Sequence, residues 1–153
     1  AVDLAMVIVP ISSTVKTDEA HAEVLSSPLF SARLKRVAKT VEKMKRAIQG
    51  ENIPTIGRLA EEDSLDLHAI TMTGKSHMVL WEPDTIRIIR EVVKMRRGGI
   101  PGWYSIDTGP SVFINTPTSH AKDVASRLRK AGFKKVVCSS VGDKPSIRDE
   151  HLF

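Results

Sequence analysis

Apolar residues in this chain follow two rhythms, and the switches between them outline its elements. From Leu4 to Val9 the run is continuously apolar, which predicts a strand covered on both faces. Pro10 ends it, and Ser12, Ser13 and Thr14 form a polar loop into a short helix from Asp18 to Leu25 with Thr17 as its N-cap. After Pro28, the residues Phe30, Leu34, Val37, Val41, Met44 and Ile48 recur at alternating spacings of four and three. That is one stripe on a long helix stopped by Gly50, read as core or subunit contact. The next helix covers about Pro54 to Thr71, with Ile56, Leu59, Ala60, Leu67 and Ile70 inward. Another runs from Thr85 to Arg97, with Ile86, Ile89 and Val93 inward and a basic last turn before Gly98 and Gly99. A last helix begins at Pro117-Thr118-Ser119, turns Ala121, Val124, Ala125 and Leu128 inward, and stops at Gly132. Phe133 to Ser139 is the final clear strand, and the tail from Val141 through Pro145 onward has no usable period.

Between the helices lies the stretch from Trp103 to Asn115, where two short runs of aromatic and β-branched residues flank Thr108, Gly109 and Pro110. The pattern predicts strand, tight turn, strand, with the turn drawing on a positive φ at Gly109. Four strands and about five helices, with one hairpin among otherwise separated strands, imply an α+β fold: an antiparallel sheet with helices on one face.

A chain of 153 residues with 41% hydrophobic content fits one domain with a real core. No apolar run is long enough to span a bilayer, and no export signal precedes the first strand, so a soluble cytoplasmic protein without a membrane partner is expected. The single cysteine, Cys138, rules out an internal disulfide framework and most cysteine-based metal sites; it is expected as a small buried residue of a strand. No metal site is predicted. Lys plus Arg outnumber Asp plus Glu by 23 to 18, giving a net charge of +5 that suits an anionic partner. Nucleic acid is not the expected one, because the basic residues are scattered over several helices and few aromatics are available to stack bases. The chain starts at Ala1 without Met and enters a strand almost at once, from which a fragment of a longer protein is expected.

Two places carry candidate chemistry. In the segment Arg58 to Ala69, Asp63 falls within the inward stripe and therefore requires a partner, while Ser64 and His68, four apart, share a neighbouring strip. The second is Asp107, an acid held at the break between two strands. Gly74-Lys75-Ser76 resembles the end of a phosphate loop, but the earlier glycine that the motif requires is Ala69.

Asp63-Ser64-Leu65-Asp66-Leu67-His68-Ala69 on a helix, followed by Ser105-Ile106-Asp107-Thr108-Gly109-Pro110, resembles the C-terminal half of the mevalonate diphosphate decarboxylases. These belong to the superfamily of galactokinase, homoserine, mevalonate and phosphomevalonate kinases, and the resemblance covers essentially the whole chain. It implies a ferredoxin-like, four-stranded C-terminal domain at residues 1–153, with an N-terminal ATP-binding domain absent from this chain. It implies ATP-dependent decarboxylation of mevalonate 5-diphosphate to isopentenyl diphosphate in isoprenoid synthesis, with ATP and Mg2+ held mainly by the missing half, so that the isolated fragment is inactive. Asp107 is then the catalytic acid beside the C3 hydroxyl, and Ser64, His68, Thr108 and Gly109 line the substrate. The full-length protein is expected to be a homodimer. Eukaryotic members read Asp-Ser-Asn-x-Phe-His-Ala where this chain has Leu65 and Leu67, which leaves mevalonate 5-phosphate and the 3,5-bisphosphate as alternative substrates.

Two readings of other classes stand beside this one. Ile106-Asp107-Thr108-Gly109 is also the active-site turn of aspartic proteases, whose folds are nearly all β. A basic ferredoxin-like module could instead bind RNA, though its strands lack paired aromatics.

Overall fold

The computed structural model describes residues 2–142. In chain order these form β1 (Leu4–Val9), α1 (Thr17–Val24), α2 (Phe30–Gln49), α3 (Ile53–Met72), α4 (Pro83–Arg97), β2 (Trp103–Ser105), β3 (Val112–Pro117), a 3-10 turn (Thr118–His120), α5 (Ala121–Lys130) and β4 (Val137–Ser140). The part of the tail beyond Gly142, whose lack of periodicity was noted above, lies outside the described residues.

The four strands form one sheet in the order β2-β3-β1-β4, with every neighbouring pair antiparallel. Read from the other edge this is the ferredoxin-like order, with β1 and β3 central and β2 and β4 at the edges. β1 alternates rather than being covered on both faces: Ala5, Val7 and Val9 are buried, whereas Leu4 and Met6 and Ile8 on the opposite face are only half-buried. The buried face joins Val112, Ile114, Tyr104 and Ile106 to Ile88, Val92 and Met95 of α4 and Val124 and Leu128 of α5 in one core. Full burial of an aliphatic side chain of this size contributes about 1.5–3 kcal/mol, so this layer anchors the fold.

Three sequence expectations shift for physical reasons. The buried stripe of α4 is Thr85, Ile88, Val92 and Met95, while Ile86 stays 39% exposed. Its sequence offers apolar residues on two adjacent stripes, and docking on the sheet selects one. Cys138 is exposed, as is every residue of β4, so this edge strand packs neither face into the core. Of the twenty residues of α2 only Ala47 is buried, so its apolar stripe forms a half-open flank against α3 rather than core.

A helix-rich α+β fold sets aside the aspartic protease reading. Among the described residues no helix is long and apolar enough to cross a membrane.

Candidate active site

Asp107 stands in the connection between β2 and β3. The last paired residues are Ser105 and Phe113, so this connection is wider than a tight turn, and Gly109 is not among the glycines with positive φ. The loop is held from several sides instead. The amide of Ile106 donates to Ser64 Oγ at 2.9 Å. Thr85 Oγ1, fully buried at the start of α4, donates to the Pro110 carbonyl at 2.7 Å. Ser111 Oγ accepts from Ile11 N at 2.9 Å and donates to Ile11 O at 3.1 Å, which extends the β1–β3 ladder past its last pair, Val9 and Val112. The exposed Asp107 carboxylate is therefore carried on a stiff support.

Two clefts meet at Asp107. The larger, about 420 Å³, lies between α2 and α3 and is walled mainly by apolar side chains such as Val37, Val41, Met44 and Leu67, with Arg33, Asp63 and Ser64 among its polar residues. The smaller, about 250 Å³, lies between the Asp107–Ser111 loop and the segment leading from β1 to α1. The hydroxyl-bearing residues Ser13, Thr17, Thr108 and Ser111 line it together with Asp107, with Gly109 and Pro110 in the wall. Thr108 Oγ1 comes within 3.5 Å of Thr17 Oγ1.

The structure thus separates the residues singled out from sequence. Asp107, Thr108 and Gly109 share the smaller cleft. Ser64 lines the larger one beside Asp107, but its hydroxyl is engaged with backbone on both sides, donating to Ala60 O at 2.9 Å and accepting from Ile106 N. His68 is placed in neither wall: it is 1% exposed and its ring stands 4.9 Å from that of Trp81. Burial lowers its pKa to about 4, against the opposing pull of the nearby Asp107 backbone and carboxylate, so the imidazole is neutral around pH 7. Among the described residues, His68 Nε2 and Trp81 Nε1 are buried with no hydrogen-bond partner.

Asp63 does have the partner its sequence position demanded. Arg33 reaches it through two contacts, Nη1 to Oδ1 at 2.9 Å and Nη2 to Oδ2 at 3.2 Å, and the carboxylate is 46% exposed rather than enclosed. Sequence reasoning missed Thr85, Ser111, Glu61 and the Ser13 to Thr17 segment as parts of the site. The polar loop after β1 was visible as a loop, but nothing local marks it as facing a residue some ninety positions away.

The Gly74-Lys75-Ser76 turn does not offer a phosphate cradle. The Lys75 amide donates to Ser26 Oγ at 2.8 Å and the Ser76 amide to the Glu23 carboxylate at 2.7 Å, so these backbone donors are already taken, one of them by a carboxylate. Among the described residues no group of three or more His, Cys, Asp or Glu side chains could hold a metal ion.

Comparison with known proteins gives this geometry a context. Residues 10–144 match the family described as Mevalonate 5-diphosphate decarboxylase C-terminal domain. A phosphomevalonate decarboxylase from Haloferax volcanii is 35% identical over 149 residues, covering 97% of this chain and 46% of the relative. A mevalonate 3,5-bisphosphate decarboxylase from Thermoplasma acidophilum is 30% identical over 108 residues, 70% of this chain and 25% of the relative. Among solved structures, the mevalonate diphosphate decarboxylase from Enterococcus faecalis, described for ATP binding mediated by mevalonate diphosphate, superposes with a TM-score of 0.82 at 22% identity, covering 90% of this chain and 42% of that one. The chain spans less than half the length of each of these proteins.

Proposed function

For a chain that belongs to the mevalonate 5-diphosphate decarboxylase C-terminal domain family, we propose that it forms the substrate-cleft half of an ATP-dependent decarboxylase acting on a 5-phosphorylated mevalonate. Mevalonate 5-phosphate is the first substrate to test, because the relative similar to this chain along 97% of its length is a phosphomevalonate decarboxylase. The 5-diphosphate, substrate of the reaction to isopentenyl diphosphate, is the second. ATP and Mg2+ are assigned to the part of the full-length protein outside this chain, and ATP would supply the phosphoryl group that turns the C3 hydroxyl into a leaving group.

The observation that carries this reading is the placement of Asp107 in a cleft rich in hydroxyls, on a loop pinned at Ile106, Pro110 and Ser111. A tertiary hydroxyl is a weak nucleophile. A carboxylate within hydrogen-bond reach orients it and accepts its proton as the oxygen is phosphorylated. Phosphate then leaves from C3 as the C1–C2 bond breaks, giving carbon dioxide and the isopentenyl product. Thr17 and Thr108, whose mutual contact is long at 3.5 Å, offer hydrogen-bond donors to the substrate's anionic groups, whereas the larger cleft is walled mainly by apolar side chains.

The test is turnover by the full-length protein. Release of carbon dioxide and phosphate is followed with mevalonate 5-phosphate, 5-diphosphate and 3,5-bisphosphate, each with ATP and Mg2+. Turnover of the 5-phosphate or the 5-diphosphate is expected, and failure with both would sink the proposal.

A further inference from the structure

Among the described residues the outer edge of β2 has no neighbouring strand, yet three backbone groups along it, at Gly102, Tyr104 and Ile106, are taken up by side chains. The Gly102 carbonyl accepts from Arg96 Nη1 at 2.7 Å, the Tyr104 amide donates to Glu61 Oε1 at 3.1 Å, and the Ile106 amide donates to Ser64 Oγ at 2.9 Å. Residues 102, 104 and 106 follow the period of a strand, whose alternate backbone groups face one edge. Glu61 and Ser64 are three apart on α3, hence on one face of it.

We infer that Glu61 and Ser64 are positioning residues for Asp107: they replace a missing strand along the edge of β2 and thereby set where the carboxylate stands. This rests on the reading of Asp107 as the acid of the reaction. Among the described residues the Asp107 carboxylate has no hydrogen bond or ion pair, so its location is set by the backbone that delivers it. Ile106 is the residue before it, joined through a planar peptide, so a shift of the Ile106 amide carries over to Asp107.

Both positioning groups are themselves fixed. Glu61, with a side chain 13% exposed, pairs with Arg96 through contacts of 2.7 and 3.2 Å, and the Arg96 guanidinium lies 5.9 Å from the centre of the Trp103 ring. Ser64 is 5% exposed and anchored to Ala60 O. Polar groups so enclosed are costly unless bonded, and the bonds these two make reach β2 and the residue between it and Asp107.

A double-mutant cycle in the full-length protein separates positioning from general stability. Ser64→Ala is expected to lower kcat by roughly 10- to 100-fold with KM within about twofold, the scale of a misplacement near 1 Å. In an Asp107→Asn background the same change is expected to alter kcat by less than about twofold, since the group it positions is already disabled. A folded Ser64→Ala protein with wild-type kcat, or one whose full effect persists without Asp107, overturns the inference. If Ser64→Ala does not fold, Glu61→Ala runs the same cycle. If the wild type turns over none of the three substrates, the proposed function fails on its own account. Amide exchange then decides this inference: protection at Ile106 and Asp107 falls by about tenfold or more in Ser64→Ala if it holds, and is unchanged if it does not.

Discussion

Ser64 on α3 and Ile106 just after β2, 42 residues apart in the chain, are joined by a 2.9 Å hydrogen bond from the Ile106 amide to the Ser64 hydroxyl. Through it the helix registers the strand, and the strand delivers Asp107 to the meeting point of two clefts.

Asp107→Asn in the full-length protein keeps the side chain's size and removes its charge and basicity. Because the carboxylate is exposed and the loop is held by other residues, melting temperature and substrate affinity should change little. kcat should fall by roughly two to four orders of magnitude, the range for a positioned general base. Near-normal kcat in a folded variant would make Asp107 a loop residue only.

The isolated chain of 153 residues should give no carbon dioxide with ATP and any of the three phosphorylated mevalonates. The Gly74-Lys75-Ser76 turn is closed to phosphate by Ser26 and Glu23, and no other glycine-rich phosphate loop occurs in the sequence. Robust turnover by the fragment would refute this division of labour.

Gly57 of α3 is buried against Trp103, and a Cβ placed on it would clash with the indole's Cγ and Cδ2. Gly57→Ala gains helix propensity but must push back β2 or its tryptophan, so a net loss of roughly 1–3 kcal/mol is expected from overpacking. Urea denaturation of the variant and wild type measures it. An increase in stability would mean that α3 and β2 are not in this close contact.

His68 makes stability depend on pH in a defined direction. Its folded pKa of about 4 lies below the ordinary value of 6.5, so between these values the unfolded chain binds a proton that the folded one refuses. Stability is therefore fully present above about pH 6.5, declines as pH falls, and levels off below about pH 4, with a loss on the order of 3 kcal/mol from this residue. Denaturant midpoints across that range should slope less in His68→Gln than in wild type. Parallel slopes would show that the imidazole is accessible to protons in the folded state.

Local pattern alone determined much of the architecture. Periodicity, prolines and glycine stops placed the helices within a residue or two of α1 to α4; the last was expected to begin at Pro117-Thr118-Ser119, where a 3-10 turn precedes α5, and its inward face, with Ala121, Val124, Ala125 and Leu128, is the one observed. The single hairpin among separated strands implied the antiparallel α+β class, and the break between two β-rich runs put Asp107 outside regular structure. These are properties of short windows, where burial on one side imposes a rhythm on the residues themselves.

What only tertiary structure decided is every choice for which the windows held two equivalent answers or none. α4 carries adjacent apolar stripes, and contact with the sheet, together with the Thr85 bond to Pro110, selects the one with Ile88, Val92 and Met95. The partner Asp63 required proved to be Arg33, thirty residues earlier on another helix. Ser64 and His68 share one side of α3, yet the approach of β2 engages the serine with the Ile106 amide and Trp81 lies against the imidazole. The approach of Thr17 to Thr108 spans 91 positions. Such pairings leave no periodic trace, because a hydrogen bond between distant segments constrains one residue on each and nothing between them.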